Sequence, residues 1–204
     1  MPGVMIYQPK DAFYRKAKKE GYRSRAAYKL LDLSRRFQII KPGDRVVDLG
    51  SAPGGWLQVA SQLAGEKGKV IGIDTEAVEP LNQPNIVLIQ GDITSEENLK
   101  RIKDLLGNSA DCVISDVSPR LSGIRDADLS RSQELNRSSL NVACQLLKPG
   151  GNFLVKVFMG EELKKFFLEV EKFFLSVQRT RPEATRKGSS ETYLCAKGFQ
   201  KRSG

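Results

Sequence analysis

The sequence predicts a doubly wound α/β domain on a mostly parallel seven-stranded sheet, with a helical extension at its N-terminus. Three observations lead there. Short runs of Val, Ile and Leu alternate with amphipathic stretches at intervals of about 10–15 residues, the rhythm of right-handed strand–helix–strand crossovers. Asp48-Leu49-Gly50-Ser51-Ala52-Pro53-Gly54-Gly55-Trp56 packs a strand end, a glycine turn and a helix start into one short stretch. Asp74, Asp92 and Asp116 each stand at the end of an apolar run, where the strands of an open sheet present groups to ligands.

Each element has a local cause. Residues 11–20 read as a basic helix ended by Gly21, and Ser24 is placed to cap a second helix, Arg25 to Phe37, with Ala27, Leu30, Leu31 and Leu33 as its apolar side. Lys41-Pro42-Gly43 breaks that helix before the first strand, Arg45 to Leu49, whose apolar run suits a sheet covered on both faces. A helix from Gly55 to Ala64 ends at Gly65. Strands at Lys69 to Ile73 and Asn85 to Gln90 follow. Thr94 or Ser95 then caps a helix through Leu106, with Glu96 and Glu97 favourably placed in its first turn. A fourth strand, Asp111 to Ser115, leads into a polar loop, Val117 to Ser130, and a helix over about residues 131–147 stopped by Lys148-Pro149-Gly150-Gly151. Strand Asn152 to Phe158 and helix Glu161 to Phe174 come next. Two closing strands, Ser176 to Arg181 and Glu191 to Lys197, flank the basic loop Pro182 to Ser190; with no helix between them they pair antiparallel.

Composition narrows the chemistry. A chain of 204 residues is long enough for one domain with a sizeable core. No apolar run approaches the roughly 18 residues of a membrane span. Cys112, Cys144 and Cys195 lie scattered in apolar segments without a Cys-x-x-Cys pair, as in a cytoplasmic protein with reduced thiols. Histidine is absent, which removes the commonest general base, and no metal site is expected. Any proton transfer falls to Lys, Asp, Glu, Tyr or Cys.

The net charge of +9 is unevenly spread. Residues 1–45 hold 12 Lys/Arg against 4 Asp/Glu, residues 46–178 hold 14 against 18, and residues 179–204 hold 7 against 2. A catalytic body with a polyanion-binding surface made from both termini accounts for this, as do two solvated basic tails. Tyr7, Phe13, Tyr14, Tyr22 and Tyr28 lie among the N-terminal cations, where rings can stack on bases while the cations hold phosphates.

The glycine spacing is Gly-x-x-x-Gly rather than the Gly-x-Gly-x-x-Gly of dinucleotide-binding turns, so it suits a nucleoside cofactor without phosphates. Asp74 lies 20 residues after Gly54, the position from which an acid accepts from ribose hydroxyls. Asp92, one strand further out, is placed to accept from an adenine amino group. Trp56 either packs on the cofactor or fills the seam between helix and sheet. Lys156 interrupts the apolar strand Phe153-Leu154-Val155-Lys156-Val157-Phe158, where an ammonium needs partners or must snorkel out. With strands four and five adjacent and the last strand antiparallel beside the fifth, Asp116, Lys156 and Glu191 reach one sheet edge. Lys29, read alone, belongs to a charged helix stripe with Arg25, Asp32 and Arg36.

At this point the chain resembles a family. The stretch from Asp48 to Trp56, Ser115-Asp116-Val117-Ser118-Pro119, Val155-Lys156-Val157-Phe158 and Ser190-Glu191-Thr192-Tyr193 are similar, in order and spacing over roughly residues 10–200, to the signatures of the FtsJ/RrmJ ribose 2′-O-methyltransferases. The resemblance implies a Rossmann-like methyltransferase fold, S-adenosylmethionine as cofactor and RNA as substrate. The target it implies first is a uridine of large-subunit ribosomal RNA, free or in a ribosomal particle, with transfer RNA as the alternative. It places Gly54, Trp56, Asp74, Asp92 and Asp116 around the cofactor, and its Lys-Asp-Lys-Glu set falls on Lys29, Asp116, Lys156 and Glu191. In the chemistry it implies, Lys156 is the base for a ribose hydroxyl, or else stays protonated and steers the hydroxyl's lone pair. One position departs from the pattern: Arg120 follows Pro119, where the family carries Asn or another small polar residue, and a guanidinium there could grip a phosphate.

With no appended RNA-binding domain, the basic termini and the loops at 120–131 and 181–187 are expected to hold the RNA, the chain acting as a monomer. Two rivals stand beside this reading. A nicotinamide-dependent dehydrogenase is disfavoured by the glycine spacing. A non-catalytic RNA-binding protein with the same fold is disfavoured by the intact catalytic set.

Overall fold

The computed structural model describes residues 12–119, 123 and 125–201. Helices α1 (Ala12–Glu20) and α2 (Ala27–Phe37) precede β1 (Arg45–Leu49), α3 (Gly55–Ala64), β2 (Lys69–Asp74) and β3 (Ile86–Gln90). Then come α4 (Glu96–Leu106), β4 (Ala110–Ser115), α5 (Arg125–Leu146), β5 (Leu147–Phe158), α6 (Glu161–Glu171), β6 (Phe174–Thr180) and β7 (Glu191–Phe199). The seven strands form one sheet in the order β3-β2-β1-β4-β5-β7-β6. β1 pairs in parallel with β2 and β4, as β4 does with β5, and only β7 runs against its neighbours.

Both faces of the sheet's centre are covered, which is why β1, β4 and most of β5 are apolar on both sides. On one face α2 and α3 bury Leu30, Leu33, Trp56 and Leu57 against Val46, Val70 and Ile114. On the other, Ile102, Leu140 and Phe166 from α4, α5 and α6 meet Ile71, Val113 and Phe153. Phe153 is fully buried and stacks on Phe174 at 6.1 Å, so truncating it to Ala costs about 3–5 kcal/mol.

The differences from the sequence reading that exceed a shift of a residue or two at a strand end have local causes. Helix α5 starts at Arg125, so it takes up part of the expected loop Val117–Ser130. β5 starts at Leu147, because Lys148-Pro149-Gly150-Gly151 continues as strand with a register shift against β4 instead of stopping the chain. Helix α6 ends at Glu171 and Phe174 opens β6, where it pairs with Phe199. Ser24 does not cap α2: the preceding residue is Ala26 in helical conformation, without a side-chain cap. Ser24 Oγ instead fills the space beside Gly55, where an added Cβ would come within 2.2 Å of it. Among the described residues no helix is long and apolar enough to cross a membrane.

Candidate active site

Winding of the sheet reverses between β1 and β4, and a cleft opens beyond the strand ends there. It encloses about 420 Å3 and is lined by Gly50, Ala52, Asp74, Thr75, Glu76, Asp92, Ile93, Asp116, Val117, Ser118, Pro119 and Leu135. Among these described residues four are acids and none is Lys or Arg. Gly50 has φ 74°, and a methyl there would come within 2.5 Å of Val117 Cγ2, so the turn after β1 can lie against the exit of β4 only as glycine.

The carboxylates at the strand ends shape the cleft. Asp74 accepts from the Ala52 N–H at 2.9 Å and from the Glu76 N–H at 2.8 Å. Asp92 accepts from both the N–H and the hydroxyl of Thr94 at 2.7 Å, and those bonds hold its carboxyl below the ordinary range. It is therefore an ionised acceptor at neutral pH. Gly54 precedes α3 with φ 109°. Arg23 lies against it and donates to the carbonyls of Pro53, Glu79 and Pro80, at 3.2, 2.5 and 2.6 Å. This strut joins the α1–α2 turn to the loop before α3, and sequence patterning held no hint of it.

Trp56 is placed as packing, the second of its two readings. Its indole is buried, donates to the Ala26 carbonyl at 2.8 Å and lies 6.0 Å from the Tyr193 ring, away from the cleft. What it can offer a ligand is its N–H in the first turn of α3, which no carbonyl of that helix can take.

Beside the cleft, the four residues Lys29, Asp116, Lys156 and Glu191 come together. Lys156 is 5% exposed, so it does not snorkel to solvent. Its ammonium nitrogen donates to the Asp116 carbonyl at 2.6 Å and lies 3.2 Å from Asp116 Oδ1. Lys29 Nζ meets Glu191 Oε1 at 2.5 Å across 162 residues of chain. The charged residues of α2 and of the turn before it are thus docked rather than solvated: Arg36 donates to Thr180 Oγ1 at 2.5 Å and Arg25 to the Ala184 carbonyl. Tyr193, quoted in a motif but given no role by the sequence, joins the two ion pairs. Its hydroxyl stands 2.9 Å from both Asp116 Oδ1 and Glu191 Oε1.

Asp48 is a further side chain the sequence left without a role. It is fully buried, and neither carboxylate oxygen has a hydrogen-bond partner among the described residues. Burial, then the charges of Asp116 and Asp74, raise its carboxyl well above the usual range.

The N-terminal aromatics behave differently from expectation. Phe13 and Tyr22 each pack on Tyr28 with ring centroids 5.6 Å apart, in a small core shared with Ala17 and Ala184. Tyr14 stays exposed, beside Arg15, Lys18 and Lys19. Tyr7 and Arg120 lie outside the described residues. A second cavity of about 400 Å3, between α5 and α6, holds none of the expected site residues.

Residues 22–199 match the family described as FtsJ-like methyltransferase. The "Ribosomal RNA large subunit methyltransferase E" of Methanothrix thermoacetophila is 54% identical over 193 residues, spanning 95% of this chain and 74% of that one. Its namesake in Archaeoglobus fulgidus is 48% identical over 191 residues, spanning 94% of this chain and 97% of that one. Among solved structures, a ribosomal RNA methyltransferase from Plasmodium falciparum superposes with TM-score 0.79 at 31% identity, over 89% of this chain and 100% of that one. Aeropyrum pernix fibrillarin, solved with natively bound S-adenosyl-L-methionine, shares the fold at TM-score 0.59 and 19% identity, over 86% of this chain and 75% of that one. With a family match over nearly its whole length and close relatives at this identity, the chain belongs to the FtsJ-like methyltransferases.

Proposed function

We propose that this protein methylates a ribose 2′-hydroxyl of large-subunit ribosomal RNA, using S-adenosylmethionine, with Lys156 as the general base. The observation that carries the reading is a buried amine, held by Asp116, beside a cleft whose described lining is acidic and includes no Lys or Arg. A dinucleotide would bring a pyrophosphate into that lining and be repelled. A nucleoside bearing a sulfonium and an ammonium suits it. Asp74 is positioned for ribose hydroxyls, Asp92 for an adenine amino group, and Gly54, the Trp56 N–H and Asp116 for the remainder of the ligand. S-adenosylmethionine bound there supplies a methyl group already activated by its sulfonium. The protein's own task is then alignment and removal of one proton.

In this reading Lys156 accepts the hydroxyl proton, Asp116 fixes the nitrogen through its carbonyl and carboxylate, and Glu191 holds Lys29 at the same edge. The RNA backbone is gripped by exposed cations of α1, Arg15, Lys18 and Lys19, together with the basic β6–β7 loop. The cleft and all four polar partners lie within a single chain, so the reading needs no second copy, and the three unpaired cysteines suit a cytoplasmic setting. Large-subunit ribosomal RNA is favoured over transfer RNA because relatives at about half identity carry that substrate in their names.

The test is transfer of a labelled methyl group to unmethylated large-subunit RNA, followed by nuclease digestion to locate it. Label on a ribose 2′-oxygen supports the proposal. Label on a base, or transfer to transfer RNA alone, contradicts it.

A further inference from the structure

Tyr193 lies on β7 directly across from Lys156 on β5, with no solvent exposure. Its phenolic oxygen stands 2.9 Å from Asp116 Oδ1 and 2.9 Å from Glu191 Oε1. Those same two oxygens carry the ion pairs, Oδ1 facing Lys156 Nζ at 3.2 Å and Oε1 facing Lys29 Nζ at 2.5 Å. The four charged groups therefore meet through one phenol. A phenol has a single proton to give, and two carboxylate oxygens stand where it could go. One contact is the phenol's own donation. The other is best satisfied by a proton on the facing carboxyl, donated to the phenol's lone pair. The hydroxyl keeps its own proton, because burial, the largest cause, raises it well above its ordinary range.

We propose that Tyr193 is a positioning residue that gives Lys156 its free-amine form, by stabilising on the Asp116–Glu191 pair the proton the lysine gives up. The inference rests on Lys156 acting as the base. In the step, one Nζ–H bond of Lys156 breaks and an O–H bond forms on Asp116 Oδ1, leaving the electron pair on nitrogen. The Asp116 O–H donates to the phenol oxygen. The phenol O–H donates to Glu191 Oε1, which stays negative opposite Lys29. Total charge in the cluster is unchanged, so the shift avoids creating an uncompensated charge in a buried site. Nζ then takes the ribose hydroxyl proton, and the proton on Asp116 leaves to solvent before the next turnover.

Tyr193→Phe retains the ring against Trp56 and removes only the hydroxyl. Its kcat at neutral pH is expected to fall by roughly 10- to 100-fold, with KM for both substrates within about twofold. The acidic limb of its kcat profile is expected to move to higher pH, so that alkaline conditions recover much of the loss. A hydroxyl with a merely structural role lowers activity by the same factor at every pH. A second measurement needs neither turnover nor that variant. Infrared difference spectra of wild-type protein and Asp116→Asn, both without substrates, are expected to show a carboxylic-acid carbonyl band belonging to Asp116. An unshifted acidic limb, or no such band, overturns the proposal. Substantial activity in Lys156→Arg sinks the base reading itself, whereas an inactive Lys156→Arg beside an unshifted Tyr193→Phe sinks only the role of the phenol.

Discussion

Lys156 and Asp116 are bound twice: the lysine nitrogen donates to the aspartate's backbone carbonyl at 2.6 Å and faces its carboxylate at 3.2 Å. The backbone bond survives any substitution of the aspartate side chain, so placement of the amine and its chemistry can be separated. Asp116→Asn is expected to leave Lys156 in position yet lower kcat by about 100-fold, within the range for disturbed acid–base catalysis. Single-turnover methyl transfer measures this. Because Asp116 also lines the cleft, equilibrium titration is expected to show cofactor affinity weakened as well. Wild-type turnover in the variant would remove Asp116 from the mechanism.

Lys29 and Glu191 are expected to act as a unit. Each is largely buried, and each loses its principal partner when the other is truncated. Lys29→Ala and Glu191→Ala should each reduce kcat, while the double variant loses little more than the worse single one. A double-mutant cycle on kcat checks this. Fully multiplicative losses would show that the 2.5 Å contact carries no functional coupling.

Asp48 predicts an inverted pH response of stability. Its folded-state carboxyl lies well above the ordinary range, so above about pH 4 the folded chain holds a proton that the unfolded chain has released. Its contribution is therefore full below that pH and is lost as pH rises toward the folded value. Asp48→Asn, neutral at every pH, should be more stable than wild type at pH 7, with the advantage shrinking toward pH 4. Thermal unfolding across pH 4–8 tests this, and parallel curves would contradict it.

Reversing Arg15, Lys18 and Lys19 to Glu should weaken RNA binding and flatten its dependence on salt. If all three contact phosphates of single-stranded RNA, the log–log slope falls in magnitude by at least about 2. The three side chains are exposed on α1, away from the packed aromatics, so the fold should tolerate the change. Fluorescence anisotropy at several salt concentrations gives the answer. An unchanged slope would place the RNA elsewhere.

Much of this site was legible in the chain because strand-end acids and a lysine inside an apolar strand are local signals. Asp74, Asp92, Asp116 and Lys156 needed only the strand pattern and the crossover rule to be brought near one another. Glu191 needed the final strand to be antiparallel, which followed from the missing helix between the last two strands. Lys29 was different: its helix face reads as a solvated stripe, and only its docking against the β6–β7 region makes it a partner of Glu191. Tyr193 and Arg23 escaped for the same reason. Their hydrogen bonds span 77 residues to Asp116 and 57 to the Pro80 carbonyl, and no local period records such contacts. The aromatic run at the N-terminus misled because rings beside cations look alike whether they await a base or pack on each other.

The central claim is that Lys156 takes the proton from a ribose hydroxyl as that oxygen is methylated. Site-resolved mapping of the methyl group on large-subunit RNA, with wild-type protein beside Lys156→Arg, tests it most directly. The account predicts a 2′-O-methylated ribose with the wild type and none above background with the arginine variant. Comparable ribose methylation by both, or a methyl group found on a base, would contradict it.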